Sequence, residues 1–308
     1  MKYTYGPVPS RRLGLSLGVD ILPYKTCTID CLFCQLGRTN NMTIKRVSFF
    51  PKEDILEEVL SVAKRENPDY ITFSGSGEPP LNKDIGWLIR EIKKEVEPKI
   101  VVLTNSSLLW MPEVREDLAA ADIVVPSLDA GTNECWKKVN RPHPDLNFDK
   151  MIDNLVLFSN EFAGEIWVEV LLVKGVNNTK ENLEAVRAIL SRMKYTKVQL
   201  NTVVRPPSEQ SAAALSREEM QEIAKLFPEN TEIVATFQKR GKHVSAHGDQ
   251  DRILDAIARR PMSVKQIEQS LGIPAERAEL VLDELIDEKK VKITVYEKET
   301  FYEVIQPE

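Results

Sequence analysis

Only four cysteines and three histidines occur in 308 residues. So few thiols exclude a disulfide-stapled scaffold, and a reducing compartment would keep them available for metal or catalysis. Long apolar runs are missing too, since none approaches the roughly 20 residues of a bilayer span. The opening MKYTYGPVPS has no basic-then-apolar secretory pattern. Positive charge is in deficit, with 41 Lys and Arg against 47 Asp and Glu, a net charge of −6. That balance gives no global electrostatic footprint for nucleic acid, although a local basic patch can lie beneath it. The expectation is a soluble cytoplasmic protein without a membrane role.

What is present is a rhythm. Apolar Val/Ile/Leu-rich runs (LGVDIL, YITFSGSG, KIVVLTNS, DIVVPSLDA, EIWVEVLLVKG, KVQLNTVV) alternate with amphipathic stretches such as PKEDILEEVLSVAKRE and KDIGWLIREIKKEV. Continuous apolar strands separated by helical segments predict a buried parallel sheet with right-handed crossovers. Six such strand-helix units predict an α/β fold, a partial (β/α)6 TIM-like barrel over residues 1–237, with a flat doubly wound sheet as the competing arrangement. Residues 238–249 turn polar and read as a linker. Residues 250–308 read as three helices, the second begun by Ser263 and the third by Pro274, followed by two β-rich runs, an order that resembles a winged helix-turn-helix. In the DNA-reading use of that module the third helix enters the major groove. Here it carries Glu276, Glu279, Asp283, Glu284, Asp287 and Glu288, which would repel phosphate over most of its length. Docking against the barrel or another protein is the favoured role.

Three of the four cysteines, Cys27, Cys31 and Cys34, stand in a C-x3-C-x2-C spacing just after the first barrel strand. Three thiolates can hold three irons of a cubane and leave the fourth open, whereas ferredoxin-type carriers supply four cysteines per cluster. Zinc is the main rival, but a structural zinc site wants four ligands and neither Cys nor His follows nearby. Packed, inert cysteines are the third alternative.

With the aromatic Phe33 directly before Cys34, the triplet resembles the radical S-adenosylmethionine superfamily, over residues 14–205. The resemblance implies a 4Fe-4S cluster on Cys27, Cys31 and Cys34, S-adenosyl-L-methionine chelated through its amino and carboxylate groups by the open iron, and Phe33 near the adenine. SGSGEP, residues Ser74, Gly75, Ser76, Gly77, Glu78 and Pro79, is similar to the family's GGEP motif, with Ser76 departing from the commonest glycine. Gly75 and Gly77 would let backbone approach a ligand closely, Pro79 would stiffen the turn, and Glu78 would have a structural or hydrogen-bonding role. Asn105 matches a recurrent strand-three asparagine. Ser127 and Asp129 stand where relatives contact ribose or carboxylate, and Gly175 and Asn177 resemble a strand-five motif near adenosine. Each of these also reads as ordinary turn chemistry. The implied reaction takes an electron from flavodoxin or ferredoxin, splits the cosubstrate into methionine and a 5'-deoxyadenosyl radical, and abstracts hydrogen from a substrate. Its first step needs no general base, so the scarcity of histidine is no obstacle.

Within the superfamily, the opening YGPVPSRRLGLSLGVDILPYKTC and the later NRPHP resemble a group related to the wyosine-forming tRNA synthases. Those synthases carry further cysteines and a Trp-Arg after the triplet. Here Gln35 and Leu36 follow and only Cys135 is left over, so a second protein-held cluster is not expected. Cys135 reads as a small buried hydrophobe on a helix, with a radical-quenching thiol as the alternative. Arg11, Arg12, Lys25, Arg38, Lys174 and Arg205 can form a cationic rim for a substrate phosphate or carboxylate, or be solvated charge. Lys174 and Arg205, close to strand ends, are the best placed. His243 and His247 are flanked by glycines that favour loop over a metal-binding helix. The functions in contention are a radical enzyme acting on a nucleoside, RNA or other substrate, an iron-sulfur sensor that reads DNA, and a maturase acting on a partner protein.

Overall fold

The computed structural model describes residues 2–10, 12–234 and 249–305. Strand β1 (Thr4–Pro9) pairs antiparallel with β2 (Leu15–Val19). The cysteine segment then makes a two-residue parallel pairing between β3 (Thr26–Cys27) and β4 (Asn41–Met42). From there helix and strand alternate through α1 (Lys52–Glu66), β5 (Tyr70–Phe73), α2 (Ile85–Glu95), β6 (Lys99–Thr104), α3 (Pro112–Leu118) and β7 (Ile123–Pro126). The alternation continues with α4 (Asn133–Val139), α5 (Phe148–Glu161), β8 (Glu165–Leu172), α6 (Lys180–Leu190), β9 (Lys197–Thr202), α7 (Arg217–Ala224) and β10 (Thr231–Ile233).

All of these strands except β3 and β4 join one sheet in the order β1-β2-β5-β6-β7-β8-β9-β10, parallel from β2 onward. The six strands expected from the apolar runs are β2, β5, β6, β7, β8 and β9. Two edge strands, β1 and β10, are added to them. Helices lie on the sheet, so its inner strands are mostly buried; all four residues of β7 are buried, as a parallel sheet requires. Local chemistry starts the helices at the right places. Thr132, Asn147, Thr179 and Ser216 each accept a backbone N–H from three residues on, before α4, α5, α6 and α7, the side-chain capping that satisfies a helix's orphan donors. The result is a mixed α/β fold on a parallel sheet, with the arrangement of a partial barrel.

The C-terminal residues form α8 (Asp249–Arg259), α9 (Val264–Leu271), α10 (Ala275–Asp287) and an antiparallel hairpin of β11 (Val291–Tyr296) and β12 (Glu299–Val304). Ser263 caps α9 and Pro274 precedes α10, at the positions their sequence signals indicate. Ile253, Ile257, Ile267, Val281, Leu282 and Leu285 make a second apolar core, and Val8 of β1 inserts into it. That insertion docks the C-terminal unit on the edge strand, and the Tyr296 hydroxyl donates to the Ala212 carbonyl at 3.2 Å from the hairpin side. The acidic residues of α10, together with Glu288 just beyond it, all face solvent. The expected linker, with His243 and His247, lies outside the described residues apart from Asp249, which opens α8.

Candidate functional site

The C-terminal ends of the parallel strands surround a cavity of about 380 Å³, the end at which α/β sheets and barrels place their ligands. Cys27, Cys31 and Cys34 all line it. Between them the chain turns tightly, with the Cys34 amide donating to the Cys31 carbonyl and the Gly37 amide to the Cys34 carbonyl, both at 3.1 Å. Each sulfur faces one N–H donor. Asn105 Nδ2 is 3.5 Å from Cys27 Sγ, Asn140 Nδ2 is 3.3 Å from Cys31 Sγ, and Lys25 Nζ is 3.2 Å from Cys34 Sγ. Burial pushes the Cys27 thiol up to about 12, with Glu78 adding to the effect, and raises Cys31 well above the usual thiol range, with Asp129 adding. Such thiols need a bound cation to become thiolates.

Among the described residues, no three His, Cys, Asp or Glu side chains converge on a point that one metal ion can occupy. A cubane instead holds its thiolates on separate irons. Three cysteines around one cavity, each with a donor to its sulfur, therefore fit a cluster with an open corner better than a single zinc.

The loop after β5 brings Ser74, Gly75, Ser76, Gly77 and Glu78 to the same cavity, while Pro79 is buried behind it at the start of a short 3-10 turn. A Cβ at Gly77 would overlap the carbonyl oxygen of Thr26, so glycine there lets the loop lie directly on the cysteine segment. Gly75 takes φ +132, with Asp20 against the space a side chain would need. The Ser76 hydroxyl donates to Asp20 at 2.6 Å. Glu78 is buried and accepts from the Thr104 hydroxyl and, at 2.8 Å, from the Asn105 amide. Burial nevertheless carries its carboxyl up to about 7. Its contacts are those of a brace between strand ends.

Asn105, Ser127 and Asp129 follow β6 and β7 and also line the cavity. Asn105 Nδ2 donates to Thr28 Oγ1 at 2.8 Å. Asp129 accepts from Asn140 at 2.8 Å and from the Leu171 amide at 2.9 Å, and burial, aided by Glu169, lifts it to about 7. Asn140 thus bridges Cys31 and Asp129, a role the sequence gives no hint of, since NRP after a helix reads as a turn. Phe33 lines the cavity beside Cys34.

Gly175 and Asn177 do not line it. Asn177 is fully buried and spends its side chain on the Val173 amide and the Asp129 and Leu171 carbonyls, which makes it a clamp on the turn after β8. Gly175 is exposed at φ +71 with nothing near its α-carbon face.

The expected cationic rim divides. Arg12, Lys25 and Arg205 reach the cavity, Arg12 paired with Glu169 of β8 and Arg205 donating to Gln35 Oε1 at 3.1 Å. Lys174 is turned away to Glu219 of α7 at 2.9 Å, and Arg38 is exposed beside Asp30 and Glu209. Arg11 lies outside the described residues. In their stead the C-terminal unit supplies Arg259 and Arg260, which line the cavity next to Tyr5. At the end of an amphipathic helix these two read from sequence as cations complementing the helix dipole, so nothing marks them as site residues. Cys135 stands on α4 and does not line the cavity.

Residues 21–189 match the Radical SAM superfamily. A UPF0026 protein of Methanocaldococcus jannaschii is 32% identical over 98% of this chain and 96% of its own length. A protein of Brachyspira hyodysenteriae named GTPase Obg is 38% identical over 94% of this chain, which spans only 43% of that relative's length. Among solved structures, a radical SAM methyltransferase from Sphaerobacter thermophilus superposes with a TM-score of 0.53 at 20% identity, over 73% of this chain and 67% of that one, and so shares the fold. The chain belongs to the radical SAM superfamily and to its UPF0026 relatives, and its cofactors are those of the family, a 4Fe-4S cluster and S-adenosyl-L-methionine.

Proposed function

We propose that the protein is an enzyme that activates a C–H bond of a substrate held at the strand-end cavity. When bound, the cluster and S-adenosylmethionine supply methionine and a 5'-deoxyadenosyl radical able to abstract hydrogen. The chain's own part is to hold, orient and shield. Cys27, Cys31 and Cys34 would hold the cluster, with Asn105, Asn140 and Lys25 donating to their sulfurs. The Ser74–Glu78 loop would receive the cosubstrate's methionine end, with Phe33 beside its adenine and Ser127 and Asp129 near its ribose or carboxylate. The observation that carries this proposal is that the cysteine triplet and the glycine-bearing loop open into one cavity that Cys135 does not reach.

A nucleoside or RNA is the substrate class suggested by the likeness of the opening and of NRPHP to the wyosine-related group. Reduced flavodoxin or ferredoxin would deliver the electron, in the cytoplasm. Among the described residues, no helix is long and apolar enough to cross a membrane. The C-terminal helices and hairpin have the order of a winged helix, but the exposed acids of α10 oppose DNA, and docking on β1 supports a role at the barrel.

Anaerobic reconstitution with iron and sulfide, then reductant and cosubstrate, tests the proposal. Release of 5'-deoxyadenosine is expected, with deuterium transferred into it from a deuterated cellular extract. Cys31→Ala should lose the brown colour and the release, while Cys135→Ala keeps both. A fully assembled cluster that binds no S-adenosylmethionine would overturn it.

A further inference from the structure

Arg259 and Arg260 close one wall of the cavity from outside the barrel. Their position is fixed by two independent contacts of the C-terminal unit, the insertion of Val8 among its core residues and the ion pair of Arg259 with Asp20 at 3.3 Å. Arg259 also stands 5.8 Å from the centre of the Tyr5 ring, and the Tyr5 hydroxyl shares a 2.6 Å hydrogen bond with Ser74 of the glycine-bearing loop. The two arginines therefore sit beside the part of the cavity where the loop after β5 begins.

The carboxylates at and beside this cavity all have partners, which leaves none of them for Arg260. Glu169 has Arg12 and Asp20 has Arg259. Glu78 and Asp129 are held by hydrogen-bond donors. Arg260 lines the cavity, yet its Nη2 is buried without a hydrogen-bond partner among the described residues. Arginine keeps its charge at any physiological pH. A buried guanidinium nitrogen without a partner costs free energy that only an acceptor can recover. The matching acceptor is a planar or tetrahedral oxyanion, which takes two parallel N–H bonds from the guanidinium fork.

We propose that Arg260 is the anchor for an oxyanion of the substrate, a phosphate or a carboxylate, so that the C-terminal unit is part of the active site and the substrate enters carrying a negative charge. This rests on the radical-enzyme function above for the identity of the substrate, but the binding site itself does not depend on the cluster. The cosubstrate's own carboxylate is the other source of the same chemistry, and the test separates the two.

The full chain without cluster is titrated with inorganic phosphate, followed by 31P NMR, as wild type, Arg260→Lys, Arg260→Gln and Arg260→Met, each checked for native circular dichroism. Wild type should bind phosphate, with affinity falling at least about tenfold in the Gln and Met variants and partly kept by Lys, which retains charge without the fork. In the reconstituted protein, S-adenosylmethionine affinity should stay within about twofold of wild type in all variants. Equal phosphate binding by wild type and both neutral variants overturns the proposal. Loss of S-adenosylmethionine affinity in those variants also overturns it, and assigns Arg260 to the cosubstrate. Should wild type release no 5'-deoxyadenosine, the radical function fails while the phosphate titration still decides the anion site.

Discussion

Arg259 Nη1 stands 3.3 Å from Asp20 Oδ2, joining the last residue of α8 to the residue after β2. Asp20 is only 3% exposed and also holds the Ser76 hydroxyl, so one carboxylate ties the C-terminal unit to the loop expected to meet the cosubstrate. Burial raises its carboxyl above the ordinary range, and Arg259 opposes that rise. Removing one partner of a buried pair leaves the other charge uncompensated, which costs several kcal/mol. Arg259 is partly open to solvent, which lessens the loss. Arg259→Met should therefore cost about 2–3 kcal/mol in urea unfolding. Asp20→Asn together with Arg259→Met should recover part of it. Equal stability of wild type and Arg259→Met would show that the pair holds nothing.

Gly77 and Gly37 should respond very differently to alanine. At Gly77 the obstacle to a Cβ is the Thr26 backbone carbonyl, which also accepts the Glu78 amide at 3.3 Å. Backbone cannot step aside as a flexible side chain can, so Gly77→Ala should lose more than about 3 kcal/mol and loosen the cysteine segment with it. Gly37 has φ +81 with open space around it, and alanine there costs only the left-handed conformation, about 1–2 kcal/mol. Thermal midpoints of the two variants, measured without cluster, check the order, and a Gly77→Ala protein as stable as Gly37→Ala would refute it.

The contrast between those glycines also shows what the sequence discloses. The barrel strands are legible because a parallel strand buried on both faces must be apolar throughout, and runs such as IVVP and KIVVLT have few other uses. The cysteine triplet and SGSGEP are legible because their spacing is distinctive, and the fold brings both to one cavity. Long-range pairing leaves no such local mark. The YGPVP of β1, with two prolines, reads as loop. Lys174 looks like a strand-end cation until α7 places Glu219 beside it. Asn177 carries the same turn signal whether it meets a ligand or clamps its own backbone. Arg259 and Arg260 are indistinguishable from helix-end surface charge until the unit docks on β1.

Lys25 Nζ lies 3.2 Å from Cys34 Sγ, and the side chain is buried. A cluster's potential responds to net charge and to hydrogen bonds on its sulfurs. A cation at one of the three cysteines proposed to hold the cluster would favour the more negative, reduced form. Lys25→Met should make the reconstituted cluster harder to reduce, by about 60 mV for each tenfold change in the one-electron equilibrium. Lys25→Arg should stay near wild type. Redox titration followed by electron paramagnetic resonance reads the shift, and an unchanged or raised potential in Lys25→Met would rule out the role.

Glu78 sets a pH dependence of opposite sign to the usual carboxylate. Its burial carries the folded-state value to about 7 from an ordinary 4.5. Below pH 4.5 both folded and unfolded chains hold the proton, and the group has no effect on stability. Between that point and pH 7 the unfolded chain releases its proton while the folded chain keeps it, so stability falls as pH rises and levels off above pH 7. The full contribution is at most about 3 kcal/mol. Glu78→Gln removes this titration but keeps the volume, giving up one acceptor at Thr104 or Asn105 at every pH. Urea unfolding of the cluster-free protein from pH 4.5 to 8 should show the wild type losing stability relative to Glu78→Gln by up to that amount as pH rises. Asp129, lifted to about 7 in the same way, acts equally in both proteins and cancels. Parallel stability curves for the two would mean that the folded chain ionises Glu78 as readily as the unfolded one does, and that the brace between β5 and β6 is a charged one.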